Sequence, residues 1–118
     1  MKIEDLLMYQ TDVLMLPAGK TLFSEGEEGD SMYAVVSGKA NIMVRGKVLE
    51  TAGIGTIFGE MALIDNSPRS ATVVAVEDCS LIAINAARFS ALTREVPDFA
   101  LHVMRAMADR LRHAGKSQ

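Results

Sequence analysis

From residue 13 to residue 84 the chain divides into short apolar pieces: VLML (13–16), TLF (21–23), MYAVV (32–36), ANIMV (40–44), KVLET (47–51), ATVVAV (71–76) and SLIAI (80–84). None is long enough for a helix. Between them lie PAG (17–19), EGEEGD (25–30), SG (37–38), RG (45–46) and GIG (53–55), whose glycines and prolines supply turn angles. Short strands at regular spacing with this punctuation predict an antiparallel sandwich, roll or barrel.

The period then changes. AARFSALTRE (86–95) predicts a short helix that stops before Pro97, because a proline disfavours helical geometry in the residue before it. A second helix is predicted from Pro97 and Asp98 towards a left-handed end at Gly115. Phe99, Val103 and Ala106 form one apolar stripe on it, and Ala100, Met104, Met107 or Ala108 and Leu111 form another. His102, Arg105, Asp109 and Arg112 occupy the narrow polar strip that remains. So wide an apolar arc suits a helix packed on the β unit alone, and equally one that also touches a second copy of itself. A short N-terminal helix is expected at about residues 3–9.

With 118 residues and 49% hydrophobic content, the chain has room for one domain and enough apolar material to build its core. One domain over residues 1–118 is expected, with the β unit at about 13–84 and the C-terminal helices at about 86–114. Lys and Arg number twelve against fifteen Asp and Glu, a net charge of −3, which argues against nucleic acid as a direct partner. Cys79 is the single cysteine and reads as a buried thiol in a reducing compartment. The acidic start MKIEDLLMYQ is unlike a secretory signal, and no stretch is long and apolar enough for a membrane span, so a cytoplasmic location and no membrane partner are expected.

Enzyme templates are lacking: there is no GxSxG, HExxH or GxxxxGK[ST]. No catalytic residue, metal ligand or cofactor is expected. His102 and His113 read as surface residues, the eight methionines as core filling, and the pairs Glu27–Glu28 and Glu77–Asp78 as solvated turns. The segment FGEMALIDNSPRSATVVA (58–75) is different. Gly59 permits a tight turn into a short helical run, Glu60 to Leu63, whose first amides have no intrahelical partner and so suit an anion. Ten residues on, Arg69 offers a permanently charged guanidinium able to grip two phosphate oxygens. Glu60 would oppose a phosphate unless it accepts from a sugar hydroxyl, which points to a ribose carrying a singly charged phosphate. The competing reading has Glu60 cap its own helix and pair with Arg69 on the surface.

The same segment resembles the phosphate-binding cassette of the cyclic nucleotide-binding domains found in bacterial catabolite activator proteins, kinase regulatory subunits and gated ion channels. PAGKTLFSEGEEGDSMYAVVSGKANIMV (17–44) is similar to the first half of their β-roll. The resemblance implies a mainly β fold: an antiparallel, jelly-roll-like β-roll with a short N-terminal helix, a cassette helix and two C-terminal helices. It implies a ligand-binding set of Phe58, Gly59, Glu60, Met61, Ala62, Arg69, Ser70 and Ala71, with Gly59 and Ala62 giving backbone contacts, Glu60 the ribose 2′-hydroxyl and Arg69 the phosphate. Ser70, where a threonine goes with a preference for cGMP, favours cAMP. Leu49 and Val73 are implied as purine walls, and Arg110 as a helix arginine that faces the cassette glutamate.

On this resemblance the chain is a cAMP sensor, with cGMP as the other candidate, that signals to an unidentified effector protein by moving its last helix. Cassette closure is expected to repack apolar residues against Leu101, Met104 and Leu111. A homodimer through that helix is a further expectation. The helix stops at HAGKSQ, where longer family members continue into a DNA-binding domain, and Ala114 and Gly115 stand where a polar contact to the base is found. A sensor without its own effector is the resulting expectation, against the alternatives of a ligand-free interaction module or the sensor half of a transcription regulator.

Overall fold

The structure is a computed structural model and describes Leu6 and residues 13–116. Within residues 13–116 eight strands and three helices follow in the order β1 (Val13–Leu16), β2 (Thr21–Phe23), β3 (Ser31–Ser37), β4 (Ala40–Val44), β5 (Lys47–Ala52), β6 (Ile57–Phe58), α1 (Met61–Ile64), β7 (Thr72–Ala75), β8 (Cys79–Asn85), α2 (Ala86–Glu95) and α3 (Phe99–Lys116). The strands form two antiparallel four-stranded sheets, β1-β8-β3-β6 and β2-β7-β4-β5. This is the expected β-roll. Of the predicted N-terminal helix only Leu6 lies within the described residues, where it is helical and buried.

The central strands of the first sheet, β3 and β8, are buried on both faces, which is why MYAVV and SLIAI read as unbroken apolar runs. One face of β3 and β8 turns Val35, Cys79 and Leu81, beside Phe58 of β6, towards Ile42 and Val73 of the second sheet to make the inter-sheet core. The other face carries Met32, Ala34, Ile82 and Ile84 to a second core closed by Leu92 of α2 and Phe99 and Val103 of α3. Cys79 is buried, as read, and its thiol points to the carbonyls of Lys39 and Glu77. Burial pushes that thiol's pKa up.

Turn chemistry sets the register. RG (45–46) closes the β4–β5 hairpin with both residues left-handed, at φ 52° and 78°, the arrangement whose twist suits a two-residue hairpin. Further along that pair Ile42 faces Glu50 and Met43 faces Val48, so Leu49 is the extra residue of a β-bulge. At the helical end, the Asn85 side chain caps α2 by accepting from the Arg88 amide at 2.9 Å. α3 runs through Gly115 to Lys116, so Gly115 does not end it as its sequence position suggested.

Candidate functional site

The strand β6 is two residues long because Gly59 turns the chain out of the sheet at φ +83°. Glu60 follows, its carbonyl accepting from the Leu63 and Ile64 amides, so the amides of Met61 and Ala62 precede the first bond of α1. The chain returns through DNSP: Asp65 accepts from the Ser67 amide at 3.0 Å, and Asn66 takes a left-handed conformation at φ 57°. Arg69 is then fixed by its own backbone, donating to the Glu27 carbonyl at 2.7 Å and accepting from the Gly26 amide at 2.8 Å.

Arg69 is 6% exposed, an unusual burial for a permanent cation. Its Nη1 donates to the Gly59 carbonyl at 3.2 Å, and its Nε is buried with no hydrogen-bond partner among the described residues. Its Cζ lies 4.0 Å from the centre of the Phe23 ring and 5.8 Å from that of Tyr33. Burial raises the Tyr33 phenol's pKa, and the Arg69 charge partly opposes the rise. No carboxylate lies within ion-pair distance of Arg69 among the described residues.

Glu60, 5% exposed, belongs to a different charge pair. Arg110, reaching in from α3, donates from Nη1 to Glu60 Oε1 at 3.3 Å, from Nε to Glu50 Oε1 at 3.0 Å and from Nη2 to the Ile57 carbonyl at 2.5 Å. The Glu60 side chain makes no capping bond to α1 and has Arg110, not Arg69, as its partner. That removes the surface reading of the pair. Among the described residues two carboxylates thus answer Arg110 and none answers Arg69.

These groups border a cavity of about 510 Å³, a usual size for a small-molecule site. Phe58, Gly59, Glu60, Met61, Ala62, Arg69, Ser70, Ala71, Leu49, Val73 and Arg110 all line it. The sequence reading did not include Ile42 and Val44 from β4, or Met107 from α3, which give it apolar walls together with Leu111, named there only as a packing residue. Strand alternation in ANIMV would have marked the β4 pair. A larger cavity, about 710 Å³, lies between the β5–β6 segment and the polar strip of α3, and no residue of the 58–71 segment lines it.

Two of the three α3 residues named for repacking lie away from the cassette in this state. Leu101 and Met104 are 41% and 56% exposed and line neither cavity, so in this state they do not pack behind the cassette. Leu111 lines the smaller cavity and is nevertheless 77% exposed. Inward packing is made instead by Phe99, Val103, Ala106 and Met107. His113 is exposed, as read, with its ring 2.8 Å from the Asp109 carbonyl, whereas His102 is half-buried and lines the larger cavity. Among the described residues no helix is long and apolar enough to cross a membrane, and no group of three or more His, Cys, Asp or Glu side chains is placed to hold a metal ion.

Comparison with known proteins agrees with this architecture. Residues 13–95 match the model of the cyclic nucleotide-binding domain. The cyclic AMP receptor protein of Thermus thermophilus is 36% identical over 115 residues, covering 93% of this chain and 53% of the relative. A cyclic nucleotide-gated potassium channel of Rhizobium etli is 36% identical over 96 residues, covering 81% of this chain and 27% of the channel. Among solved structures, the Thermus thermophilus catabolite activator protein superposes with a TM-score of 0.82 at 36% identity, covering 98% of this chain and 56% of that one. A cAMP-bound kinase regulatory subunit, PfPKA-R, gives 0.78 at 28% identity, covering 89% and 36%. The chain therefore spans about half the length of the two Thermus thermophilus proteins and less of the channel and the kinase subunit. It belongs to the cyclic nucleotide-binding domain family.

Proposed function

We propose that this domain is a non-enzymatic sensor of a cyclic mononucleotide, cAMP in preference to cGMP, acting in the cytoplasm through a partner protein. The observation that carries the reading is Arg69: a buried guanidinium with no carboxylate partner among the described residues, at the edge of a cavity whose one other buried charge, Glu60, is already paired. A singly charged cyclic phosphate matches that balance. The ribose 2′-hydroxyl donates to Glu60, and the purine lies between Ile42, Val44, Leu49 and Val73 on the β side and Leu111 on α3. Ser70, exposed at the cavity rim, favours cAMP over cGMP. The relatives support the ligand class, and the cGMP-dependent phytopathogenesis protein of similar fold (TM-score 0.77, 29% identity) is the reason to test both nucleotides.

Signalling follows from Arg110. Because it ties α3 to Glu60, the carboxylate proposed to take the ribose, and to Glu50 of β5, a ligand that changes Glu60's hydrogen bonding changes the hold on the helix. The shift in helix position is bounded by the ligand's differential affinity for the two arrangements. The ribose role is tested with 2′-deoxy-cAMP. Wild-type protein should bind it roughly 10- to 100-fold more weakly than cAMP, the range of a hydrogen bond to a charged group. In Glu60→Gln the discrimination should largely disappear, and unchanged discrimination removes the role.

A second reading, self-association through α3, is favoured by the outward row Leu101, Met104, Ala108 and Leu111, whose spacing of three and four residues makes one stripe. Light scattering with and without cAMP decides it: a dimer lost in Met104→Glu supports the stripe, and a monomer at all concentrations removes it.

A further inference from the structure

Arg69 is held by a part of the chain that lies forty residues or more before it in sequence. The segment from Phe23 to Gly29 wraps around it. The Phe23 ring lies 4.0 Å from its Cζ, Gly26 and Glu27 bond both its backbone groups, and the Gly29 backbone lies against the guanidinium so closely that a Cβ there would stand 2.3 Å from both Cζ and Nε. Phe23 is itself fixed. Its ring centre is 6.0 Å from that of Tyr33 and 6.1 Å from that of Phe58, and Tyr33 and Phe58 are paired across β3 and β6. The three rings join both sheets beneath the arginine.

We infer that Phe23 is a positioning residue for Arg69, the face of its ring and the bare backbone of Gly29 holding the guanidinium at the cavity edge in place of a carboxylate. The inference rests on the reading of Arg69 as the phosphate ligand. Its physical logic is that a carboxylate partner would neutralise the cation the phosphate needs. An aromatic face stabilises the cation through its quadrupole and leaves its formal charge and in-plane donors in place. An arginine kept so is ordered before the anion arrives, so less freedom is lost on binding.

The test compares the wild-type protein with Phe23→Leu and Phe23→Tyr. By calorimetry, Phe23→Leu should bind cAMP roughly tenfold more weakly, the size of a desolvated cation–aromatic contact, and Phe23→Tyr, which keeps the ring, should bind within about twofold of wild type. NMR of the free protein supplies a readout that needs no ligand. The Arg69 Nε–H resonance should be shifted by the ring current in wild type and in Phe23→Tyr, and should move to the position of a solvated arginine in Phe23→Leu. Equal cAMP affinity of Phe23→Leu and wild type, or an unshifted Arg69 resonance in free wild type, overturns the inference. If wild type binds no cyclic nucleotide the functional reading fails, and the resonance alone then decides whether the ring holds the arginine. Should Phe23→Leu not fold, wild type and Phe23→Tyr carry the same decision.

Discussion

Arg110 on α3 and Glu60 at the start of α1 lie fifty residues apart in sequence and meet at 3.3 Å beside the cavity. Replacing Arg110 by Met should therefore leave Glu60 as a buried carboxylate without its partner. The pair is neither fully buried nor free, with side-chain exposures of 20% and 6%, so the expected loss lies between the surface and buried limits, about 1–3 kcal/mol in urea unfolding. Adding Glu60→Gln to Arg110→Met should recover part of that loss. If the single and double variants are equally unstable, Arg110 serves packing and not charge.

Gly29→Ala and Gly53→Ala make a matched pair. Neither glycine has a left-handed φ, but a Cβ at Gly29 would collide with the Arg69 guanidinium, whereas at Gly53 it would meet nothing within 4 Å. A flexible side-chain end moves more cheaply than backbone. Gly29→Ala should thus fold with a small loss of stability and bind cAMP at least about tenfold more weakly, because the arginine is displaced from its place. Gly53→Ala should bind as wild type. Equal affinity of the two variants would mean that the observed arginine position does not matter for binding.

How much of this was legible in the sequence differs from element to element. VLML, TLF and ANIMV coincide with β1, β2 and β4, and AARFSALTRE with α2, because glycine turns and Pro97 bound them in the sequence itself. β6 was not seen: Ile57 and Phe58 are too few to show a period of two, and they are a strand only through pairing with Tyr33 and Ala34. Gly59, Glu60 and Arg69 stood out because a glycine turn, a short helix and an arginine lie within twelve residues of one another, and the other cassette residues were implied by the family resemblance. The bond from Glu50 to Arg110 spans sixty residues, and nothing local in KVLET or MADRLR announces it. Phe23 looked like one more strand residue, since alternation tells which side of a sheet a ring takes and not which cation it meets.

Alkaline pH should destabilise the fold by a route the structure identifies. Burial raises the folded-state pKa of Cys79 above its ordinary 9.0 and of Tyr33 above 10.0. A raised acid keeps its proton longer folded than unfolded, so its contribution to stability is complete below the unfolded pKa and falls as pH rises through the folded one. Urea unfolding followed against pH should show stability declining from about pH 9 upward. Cys79→Ala should flatten the first part of the decline and Tyr33→Phe the later part. A decline of the same slope in both variants would assign it to other groups.

The central claim is that Arg69 holds the phosphate of a cyclic nucleotide, and calorimetric titration of wild type and Arg69→Leu with cAMP and cGMP tests it most directly. The account predicts saturable binding of one nucleotide per chain by wild type, tighter for cAMP than for cGMP. It also predicts a loss of at least about 100-fold for Arg69→Leu, since a buried charge-assisted contact is removed from the ligand. The same affinity for cAMP in wild type and Arg69→Leu would contradict it.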